Sequence, residues 1–455
     1  MAKEYSKKQT FALIAALAWP TIIEQILTTA VSYVDTAMVG SLGASASAAV
    51  GATMTVNWLL NGIVSSLGIG FLAFIAQSIG AGKGHLAKLA AAQAVTVALI
   101  GGAVVTAVAL PLAKYIPVWM KADAAIQKEA SVYFFIIYIP MLARSAILIF
   151  GTVLRSAGDT KTPMQVNVAT NIINVILNYF LIYDTHKVWK ITVPGAGLGV
   201  AGAAAASAVA FAVGGVWMTM ALYKSPAVSP KGLSLKPDRE ILLPCFKIAL
   251  PACMQRLATS LGYVMFSAMI NTLGEVSTAA HSIANTAESA FYIPGWGMQT
   301  AASTLIGNAY GEKNRRKFRE LSRMLLILEF IVMTVSGVVL FICAGGLMRI
   351  FTSDGEVIKI GAKVLKMVAV SEPIYGIAII IEGIFNGVGD TMDKFVFNVI
   401  GMWGVRILGT YIFVSRLGYG LSAAWACMIA HNVALGIMLS VKYIFGKWRN
   451  GLELD

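Results

Sequence analysis

The sequence predicts an all-α integral membrane protein, with 12 transmembrane helices in two six-helix bundles related by pseudo-twofold symmetry along the membrane normal. Three observations support this prediction. Of the 455 residues, 58% are hydrophobic and 13% are charged, whereas soluble domains are about half apolar and about a quarter charged. Apolar stretches of about 20 residues, each long enough to cross a bilayer, recur along the whole chain. The second half of the chain also repeats the first.

The predicted spans are helices rather than strands. A helix that is apolar on every side needs lipid or protein around it, and barrel strands would instead alternate over about ten residues. The first span is expected to be retained, because MAKEYSKKQ leads into it without an obvious small-residue cleavage site. The spans cover 11–38, 49–78, 89–112, 128–155, 163–183, 198–223, 242–270, 279–306, 320–345, 358–386, 395–415 and 419–444.

Lysine and arginine are distributed unevenly over the predicted loops. By the positive-inside rule this asymmetry places both termini in the cytoplasm of a multi-pass cell (plasma or inner) membrane protein. It also explains the formal net charge of +13, for which anionic lipid is the expected partner and nucleic acid is not. The basic loops are 3–8, 83–88, 155–161, 224–239, 313–319 and 442–449, and the opposite set (114–128, 187–190 and Arg416) is poorer.

The repeat keeps one spacing over five spans. Pro20 and Pro251 lie 231 positions apart (251 − 20), and the same spacing joins GDT at 158–160 to GDT at 389–391. An insertion near 184–197 then shortens the spacing to 221, so that GLGVAGAA (197–204) matches GYGLSAA (418–424).

Each copy holds six spans, an even number, so both copies enter the membrane from the same side. We therefore expect parallel bundles over 1–223 and 241–455, joined by an extended cytoplasmic linker over 224–240. A cleft between two such bundles suits a substrate site that opens to alternate sides. A duplicated scaffold without transport is the alternative.

Asp35 is the most informative single residue, because it lies late in the first span and acids inside a bilayer are costly and usually functional. Its counterpart in the second copy is Phe266, so the scaffold does not need an acid at that position. We interpret Asp35 as a group that takes up and releases a cation, and packing against a neighbouring helix is the alternative. Glu24 lies on nearly the same helix face about 16 Å away. It either lines one lumen with Asp35 or is a solvated residue at the cleft mouth.

The chain resembles the multidrug and toxic compound extrusion (MATE) family over essentially its whole length. The order, spacing and doubling of several short motifs support the resemblance. It implies an alternating-access antiporter that exports amphipathic, often cationic drugs or toxic compounds in exchange for H+ or Na+. The motifs are Pro20 with VDTAMVGSLG (34–43), AQSIGAGK (76–83), LRSAGDTKTP (154–163), NIINVILNYFLIY (171–183), GLGVAGAA (197–204), IGNAYGEKNRRK (306–317) and FNGVGDT (385–391).

The resemblance makes Asp35, Asn174, Asn178 and Ser207 the candidate cation site of the first half. The two asparagines share a helix face at i and i+4, and interhelical hydrogen bonding is their alternative role. Some prokaryotic relatives carry an aspartate at the position of Asn178. With one formal negative charge, sodium binding should be weak, because hard cations prefer charged oxygens, and this favours H+. No cofactor is expected, and no metal beyond a possible Na+ at Asp35.

Pro20 is the candidate conformational residue. Proline removes a backbone hydrogen bond and permits a kink, and the resemblance suggests that the first helix bends as Asp35 changes its charge. A proline in the early turns of the helix, where it is tolerated, is the alternative.

The substrate is expected to be small and amphipathic, and to contact aromatic side chains and a few acids. The seventh span has Gln255 and no acid where family members have one, so the resemblance leaves a coupling role for the second half open. The substrate-binding candidates are Glu24, Gln255, Tyr263, Phe266, Glu288, Trp296 and Glu382.

Other functional classes have less support. The four histidines are scattered, the four cysteines lack metal or redox spacing, and GxxxxGK[ST] does not occur, so neither an enzyme nor an ATP-driven pump is expected. No filter-like repeat indicates a channel. A flippase for a lipid-linked precursor stays open; it should show several arginines in the first-half cavity, where Arg144 is the one candidate. A monomer is expected, because both halves of the cleft lie in one chain.

Overall fold

The computed structural model describes residues 7–188 and 191–446, so parts of both basic termini and two residues of the predicted insertion lie outside the described residues. The first half forms eight helices and one hairpin. These elements are α1 (Lys7–Gly40), α2 (Ala44–Gly80), α3 (Gly84–Leu112), α4 (Ile116–Trp119), α5 (Ala124–Tyr138), α6 (Met141–Ser156), α7 (Lys161–Ile182), β1 (Asp184–Val188), β2 (Ile191–Ala196) and α8 (Gly199–Lys224).

The second half is helical throughout its described elements. Its eleventh predicted span contains two π-helical stretches, Ile400–Ile407 and Tyr411–Arg416, on either side of the short α16. The helices are α9 (Arg239–Asn271), α10 (Glu275–Phe291), α11 (Ile293–Gly311), α12 (Arg315–Phe351), α13 (Gly355–Ala369), α14 (Glu372–Val388), α15 (Thr391–Val399), α16 (Leu408–Thr410) and α17 (Leu421–Phe445).

The predicted repeat is confirmed by the element bounds. Helices α2, α3, α5 and α6 begin 231 residues before α10, α12, α13 and α14. The pair α5 and α6 bends by 55°, and its counterpart α13 and α14 bends by 56°. The backbone repeats as well: Gly158 and Gly389 have φ of 86° and 89°, and Gly82 (71°) corresponds to Lys313 (53°). These positive angles, which glycine adopts most readily, end helices at equivalent places.

The all-α membrane architecture is confirmed. In the described ranges, nine helices are long and apolar enough to cross a membrane, or up to 11 if each bent pair forms one span. The predicted eighth span (279–306) falls on α10 and α11, which break between Phe291 and Ile293. Neither helix is among those nine, so the count of 12 stays a prediction.

The predicted insertion forms an antiparallel hairpin, which is a departure from a purely helical chain. Strand β1 pairs with β2 from Asp184 opposite Ala196 to Val188 opposite Ile191, with an irregularity between Asp184 and His186. The hairpin connects α7 to α8 and explains why the repeat spacing shortens here.

Contacts divide the chain into two compact units. The N unit comprises Ile23–Phe71 and Lys83–Phe246, and the C unit comprises Met1–Ile22, Leu72–Gly82 and Lys247–Asp455. The first turns of α1 and the last turns of α2 thus pack with second-half helices. The predicted bundles 1–223 and 241–455, and a cleft between them, stay predictions.

Within the C unit, the ends of α2 and α11 meet in a reciprocal contact. A Cβ atom added at Gly80 would lie 2.0 Å from the carbonyl oxygen of Asn308, and one added at Gly311 would lie 2.0 Å from that of Gln77. The Gln77 side-chain nitrogen also donates to the Gly387 carbonyl at 2.9 Å. The repeat spacing relates Gly80 to Gly311 and Gln77 to Asn308, so the two close contacts are equivalent. Only glycine permits so close an approach to a carbonyl oxygen.

The linker between α8 and α9 lies against α3 within the N unit. Gln93 donates to the Lys236 carbonyl at 2.9 Å and accepts from the Asp238 backbone N–H at 3.0 Å. Thr96 donates to the Leu235 carbonyl at 2.6 Å. Buried side chains of α3 thus satisfy backbone groups of a segment without regular structure.

Replacing Gln93 with Ala is expected to lower the free energy of unfolding by about 1–3 kcal/mol, because two backbone groups lose their partner. Denaturation by SDS in mixed micelles measures the effect. Lys231→Ala, an exposed change in the same linker, is the matched control and should leave stability unchanged. Equal stability of both variants would show that the linker does not depend on this contact.

Candidate cation-binding site

The structure brings the four predicted cation-site residues together in the N unit. Asp35 lies in the C-terminal part of α1, Asn174 and Asn178 lie one turn apart on α7, and Ser207 lies on α8. Asn178 donates its side-chain N–H to Asp35 Oδ1 at 2.6 Å. Asn178 is 1% exposed and Asn174 6%, and Asp35 is half-buried. The i, i+4 spacing thus places both amides on the face that meets α1.

The hydrogen-bond pattern determines the orientation of the Asn174 amide. With its nitrogen towards Asp35, Asn174 donates to both carboxylate oxygens at 2.9 Å. Its oxygen then accepts from the Ser207 backbone N–H at 3.2 Å and the Ser207 hydroxyl at 2.9 Å. The opposite orientation would place oxygen against oxygen, so we assign this one. Ser207 therefore orients Asn174, and Asn174 contacts Asp35.

This arrangement complements a carboxylate. Two amide nitrogens face Asp35, and such bonds are strongest when the carboxylate is ionised. The side-chain oxygen of Asn178 is buried and has no hydrogen-bond partner among the residues that the structure describes. A hard cation at Asp35 would need oxygens around it, so both amides would have to turn. Among the described residues, no group of three or more His, Cys, Asp or Glu side chains is arranged to hold a metal ion.

A cavity of about 640 Å³ lies beside this site within the N unit. Met38 is one turn beyond Asp35 on α1, and Val175 and Tyr179 each follow one of the two asparagines on α7. Tyr183 and Asp184 complete the lining. Its volume is in the range of small-molecule pockets, and an apolar, aromatic lining with one acid is typical of them.

The Glu24 carboxylate is hydrogen-bonded to two side chains of the first half. Its Oε1 accepts from Arg155 at 2.5 Å and from Asn167 at 2.7 Å. The Glu24 and Arg155 side chains are 12% and 15% exposed. Glu24 was predicted as a substrate contact or a solvated residue at a cleft mouth. The structure places it in a largely buried ion pair, so it is not solvated, and its role as a substrate contact stays a prediction.

Pro20 lies well inside α1, not in its first turn, so the alternative of an N-terminal proline does not describe it. The neighbouring Thr21 hydroxyl lies 2.8 Å from the Ala18 carbonyl and 2.9 Å from the Gly297 carbonyl of α11. The helix stays continuous from Lys7 to Gly40. Pro20 removes one hydrogen bond from the helix interior, and its role in bending stays a prediction.

Three second-half candidates lie on α9. Gln255 is half-buried, Tyr263 is 38% exposed and Phe266 is 1% exposed. The Arg406 guanidinium lies over the rings of Phe266, 4.0 Å from its centroid, and Tyr263, at 4.8 Å. The counterpart of Asp35 is therefore an aromatic core residue covered by a cation, and the two copies differ in chemistry at this position.

The other three candidates lie on α10, α11 and α14. The Tyr292 hydroxyl is hydrogen-bonded to Glu288 Oε1, and Glu288 is 2% exposed. Trp296 is 40% exposed. Glu382 accepts from Asn398 at 2.7 Å. Glu288 and Glu382 are thus both hydrogen-bonded within the C unit.

Sequence reasoning missed Arg155 and Asn167 as partners of Glu24. Arg155 precedes GDT and was interpreted as a loop cation. Asn167 lies 231 positions before Asn398 (398 − 167), which is the repeat spacing, and Asn398 bonds Glu382 in the second copy. That match was a usable signal, because an asparagine at equivalent positions bonds an acid in both halves.

Comparison with known proteins agrees with the resemblance of this sequence to the MATE family. "Probable multidrug resistance protein NorM" of Thermotoga maritima is 27% identical over 432 residues, covering 95% of this chain and 92% of that protein. A MOP superfamily transporter from Pyrococcus furiosus, described by a reverse polarity of its binding pocket, superimposes with a TM-score of 0.89 at 22% identity, over 99% of this chain and 98% of that one.

An outward-facing multidrug resistance MATE family transporter gives a TM-score of 0.88 at 22% identity, over 99% of this chain and 97% of that one. At such identities these structures show a shared fold. The family model MatE matches residues 20–180 and 251–412, one match in each copy of the repeat. The chain therefore belongs to the MatE family, the multidrug and toxic compound extrusion transporters.

Proposed function

We propose that this protein is a cation-coupled antiporter that exports amphipathic, often cationic compounds by alternating access, with H+ as the favoured coupling ion. The observation that supports it best is the position of Asp35, an acid within a membrane helix, bonded to Asn178 at 2.6 Å and one turn from a cavity of about 640 Å³. An ion-binding group beside a substrate-sized cavity can couple the occupancy of one to that of the other.

The choice of H+ rests on the donors around Asp35. Asn174 and Asn178 both direct N–H groups at the carboxylate, and they add no negative charge. Proton uptake needs a single oxygen of Asp35, whereas sodium binding needs several oxygens and a rearrangement of both amides. Neutralised Asp35 would lose its charge-assisted bonds to α7, and this is the event that we connect to movement of α1 and to Pro20. No cofactor and no catalytic step are part of this proposal.

The cavity lining indicates the substrate class. Tyr179, Tyr183 and Met38 offer aromatic and thioether surface, and Asp184 offers one negative charge, which together suit an amphipathic cation. A lipid-linked precursor would need arginines there, and the lining residues include none. Arg144 instead lies over the ring of Phe211 at 4.7 Å.

The setting of the transporter is also part of the proposal. We place it in the plasma or inner membrane as a monomer with cytoplasmic termini, following the basic loops. The family-wide resemblance to exporters named for multidrug resistance supports the direction of transport.

Purified protein in liposomes loaded with ethidium tests the coupling ion. An imposed pH gradient should drive ethidium movement, and a sodium gradient at equal pH should not. Adding an ionophore that collapses the pH gradient should stop the movement. Transport driven by sodium alone would reject H+ as the coupling ion, and transport with neither gradient would reject coupled antiport.

A further inference from the structure

One side of helix α12 carries exposed side chains along most of its length, first basic and then apolar. Arg315, Arg319 and Arg323, which we call the arginine row, follow one another at steps of four residues and are all exposed. Residues four apart lie on the same side of a helix, one turn after another. The side continues with apolar residues that are 45–74% exposed, namely Ile327, Ile331, Val335, Val338 and Ile342.

The opposite side of α12 packs inside the C unit. Phe318, Leu325, Met333 and Leu340 are at most 4% exposed and belong to hydrophobic cores or line them. The helix is long and apolar enough to span a membrane, so its exposed apolar side chains meet lipid there. The arginine row therefore lies on the side of α12 that faces the bilayer and is not part of the protein core.

Helix length places the arginine row at the height of lipid headgroups. Arg323 and Arg349 are 26 residues apart (349 − 323), which is about 39 Å along the helix axis. A bilayer is about 30 Å thick in its hydrocarbon core and about 40–45 Å thick with its headgroups. Arg323 therefore lies at one headgroup region, and Arg319 and Arg315 follow about 6 Å and about 12 Å further along the axis.

The first copy of the repeat has no equivalent of the arginine row. The counterparts on α3, at the repeat spacing of 231, are Gly84, Lys88 and Ala92. Ala92 is 0% exposed, and one turn later Thr96 donates to the Leu235 carbonyl of the linker at 2.6 Å. The linker thus packs on α3 in the region where α12 exposes its arginines. The scaffold therefore does not require arginines at these positions.

We propose that the exposed side of α12 is a binding site for an anionic phospholipid. The arginine row contacts the phosphate of the headgroup, because guanidinium groups match phosphate oxygens with paired hydrogen bonds. The acyl chains cover the apolar side chains that continue the row from Ile327 onwards. These side chains favour a lipid over free phosphate, and the charge of the row favours anionic over zwitterionic lipid. The proposal is independent of the coupling ion and of the exported compound.

Two further cations in the first turn of α12 have acidic partners. Arg316 Nε lies 3.0 Å from Glu320 Oε1, and Lys317 Nζ lies 2.5 Å from Glu312 Oε1. Arg316 is exposed, like the arginine row, but it is one residue off the row and thus about 100° around the helix from Arg315. It offers a control in which the same charge is removed from the same turn.

Native mass spectrometry of the full-length protein, titrated with phosphatidylglycerol, tests the site. A variant with Arg315→Gln, Arg319→Gln and Arg323→Gln should bind this lipid at least about tenfold more weakly than wild type, because each cation near an anionic headgroup contributes to binding. Phosphatidylcholine with the same acyl chains should bind weakly to both proteins. The variant should fold, because all three side chains are exposed. Equal binding of the two lipids by wild type would overturn the proposal.

Single variants separate a site from general attraction to positive charge. Arg319→Gln should weaken binding of phosphatidylglycerol, and Arg316→Gln should leave it near the wild-type value. Equal effects of the two changes would overturn the site. Excess inorganic phosphate should not displace the lipid, and complete displacement would identify a phosphate site instead. A dimer mass that disappears in the triple variant would identify a second copy of the chain as the occupant and would also overturn the proposal.

Discussion

Replacing Asp35 with Asn is expected to reduce proton-driven ethidium efflux by at least about tenfold, corresponding to about 1.4 kcal/mol or more of lost coupling. Asparagine has nearly the same shape, but it neither binds nor releases a proton. Its side chain still contacts Asn178, whose N–H donates to Oδ1 in the wild type. The loss of efflux should therefore result from the missing proton-binding group and not from misfolding. Efflux from liposomes under an imposed pH gradient, at equal protein content, measures the effect.

Thr36→Ala is the matched control for this variant. Thr36 is the next residue on α1, is exposed, and donates its hydroxyl to the Ser32 carbonyl within the same helix. Its removal alters an exposed side chain of α1 next to Asp35, so efflux should stay near the wild-type rate. Wild-type efflux in Asp35→Asn would remove this acid from the coupling mechanism. A similar loss in Thr36→Ala would show that the local helix, not the carboxylate, is what matters.

The four residues of the candidate cation site could be named from the sequence, because helix periodicity and the resemblance to the MATE family together single them out. Asn174 and Asn178 are one turn apart, so their shared face follows from helix periodicity. Asp35 was identifiable as an acid in an apolar span whose repeat counterpart, Phe266, is apolar. The orientation of the amides and the contact between Asn174 and Ser207 required coordinates, because no periodicity relates two different helices.

Contacts between segments that are distant in the sequence could not be predicted either, because no sequence periodicity relates one helix to another. Glu24 and Arg155 lie on α1 and α6, and neither residue type nor spacing indicates that they pair. Glu372 was absorbed into one predicted span over 358–386, because apolar content does not reveal the 56° bend at which α14 begins. Hydropathy also gave no sign that the linker at Lys236 would bond to Gln93.

Replacing Arg155 with Met is expected to lower the free energy of unfolding by about 3–5 kcal/mol, because Glu24 then stays buried as an unpaired charge. Asn167, which donates to the same oxygen at 2.7 Å, cannot neutralise it. Denaturation by SDS in mixed micelles gives the stability. Arg316→Met is the matched control, since the Arg316 and Glu320 side chains are 71% and 45% exposed and such pairs contribute less than about 1 kcal/mol.

The double variant Glu24→Gln with Arg155→Met separates a structural ion pair from a substrate contact. Glutamine can still accept from Asn167 and leaves no charge, so the double variant should recover most of the stability lost in Arg155→Met. If Glu24 serves only the pair, the double variant should also bind ethidium as wild type does. Weaker binding at recovered stability would restore Glu24 as a substrate contact. A loss in Arg155→Met no larger than in Arg316→Met would mean that the pair is solvated in the folded protein.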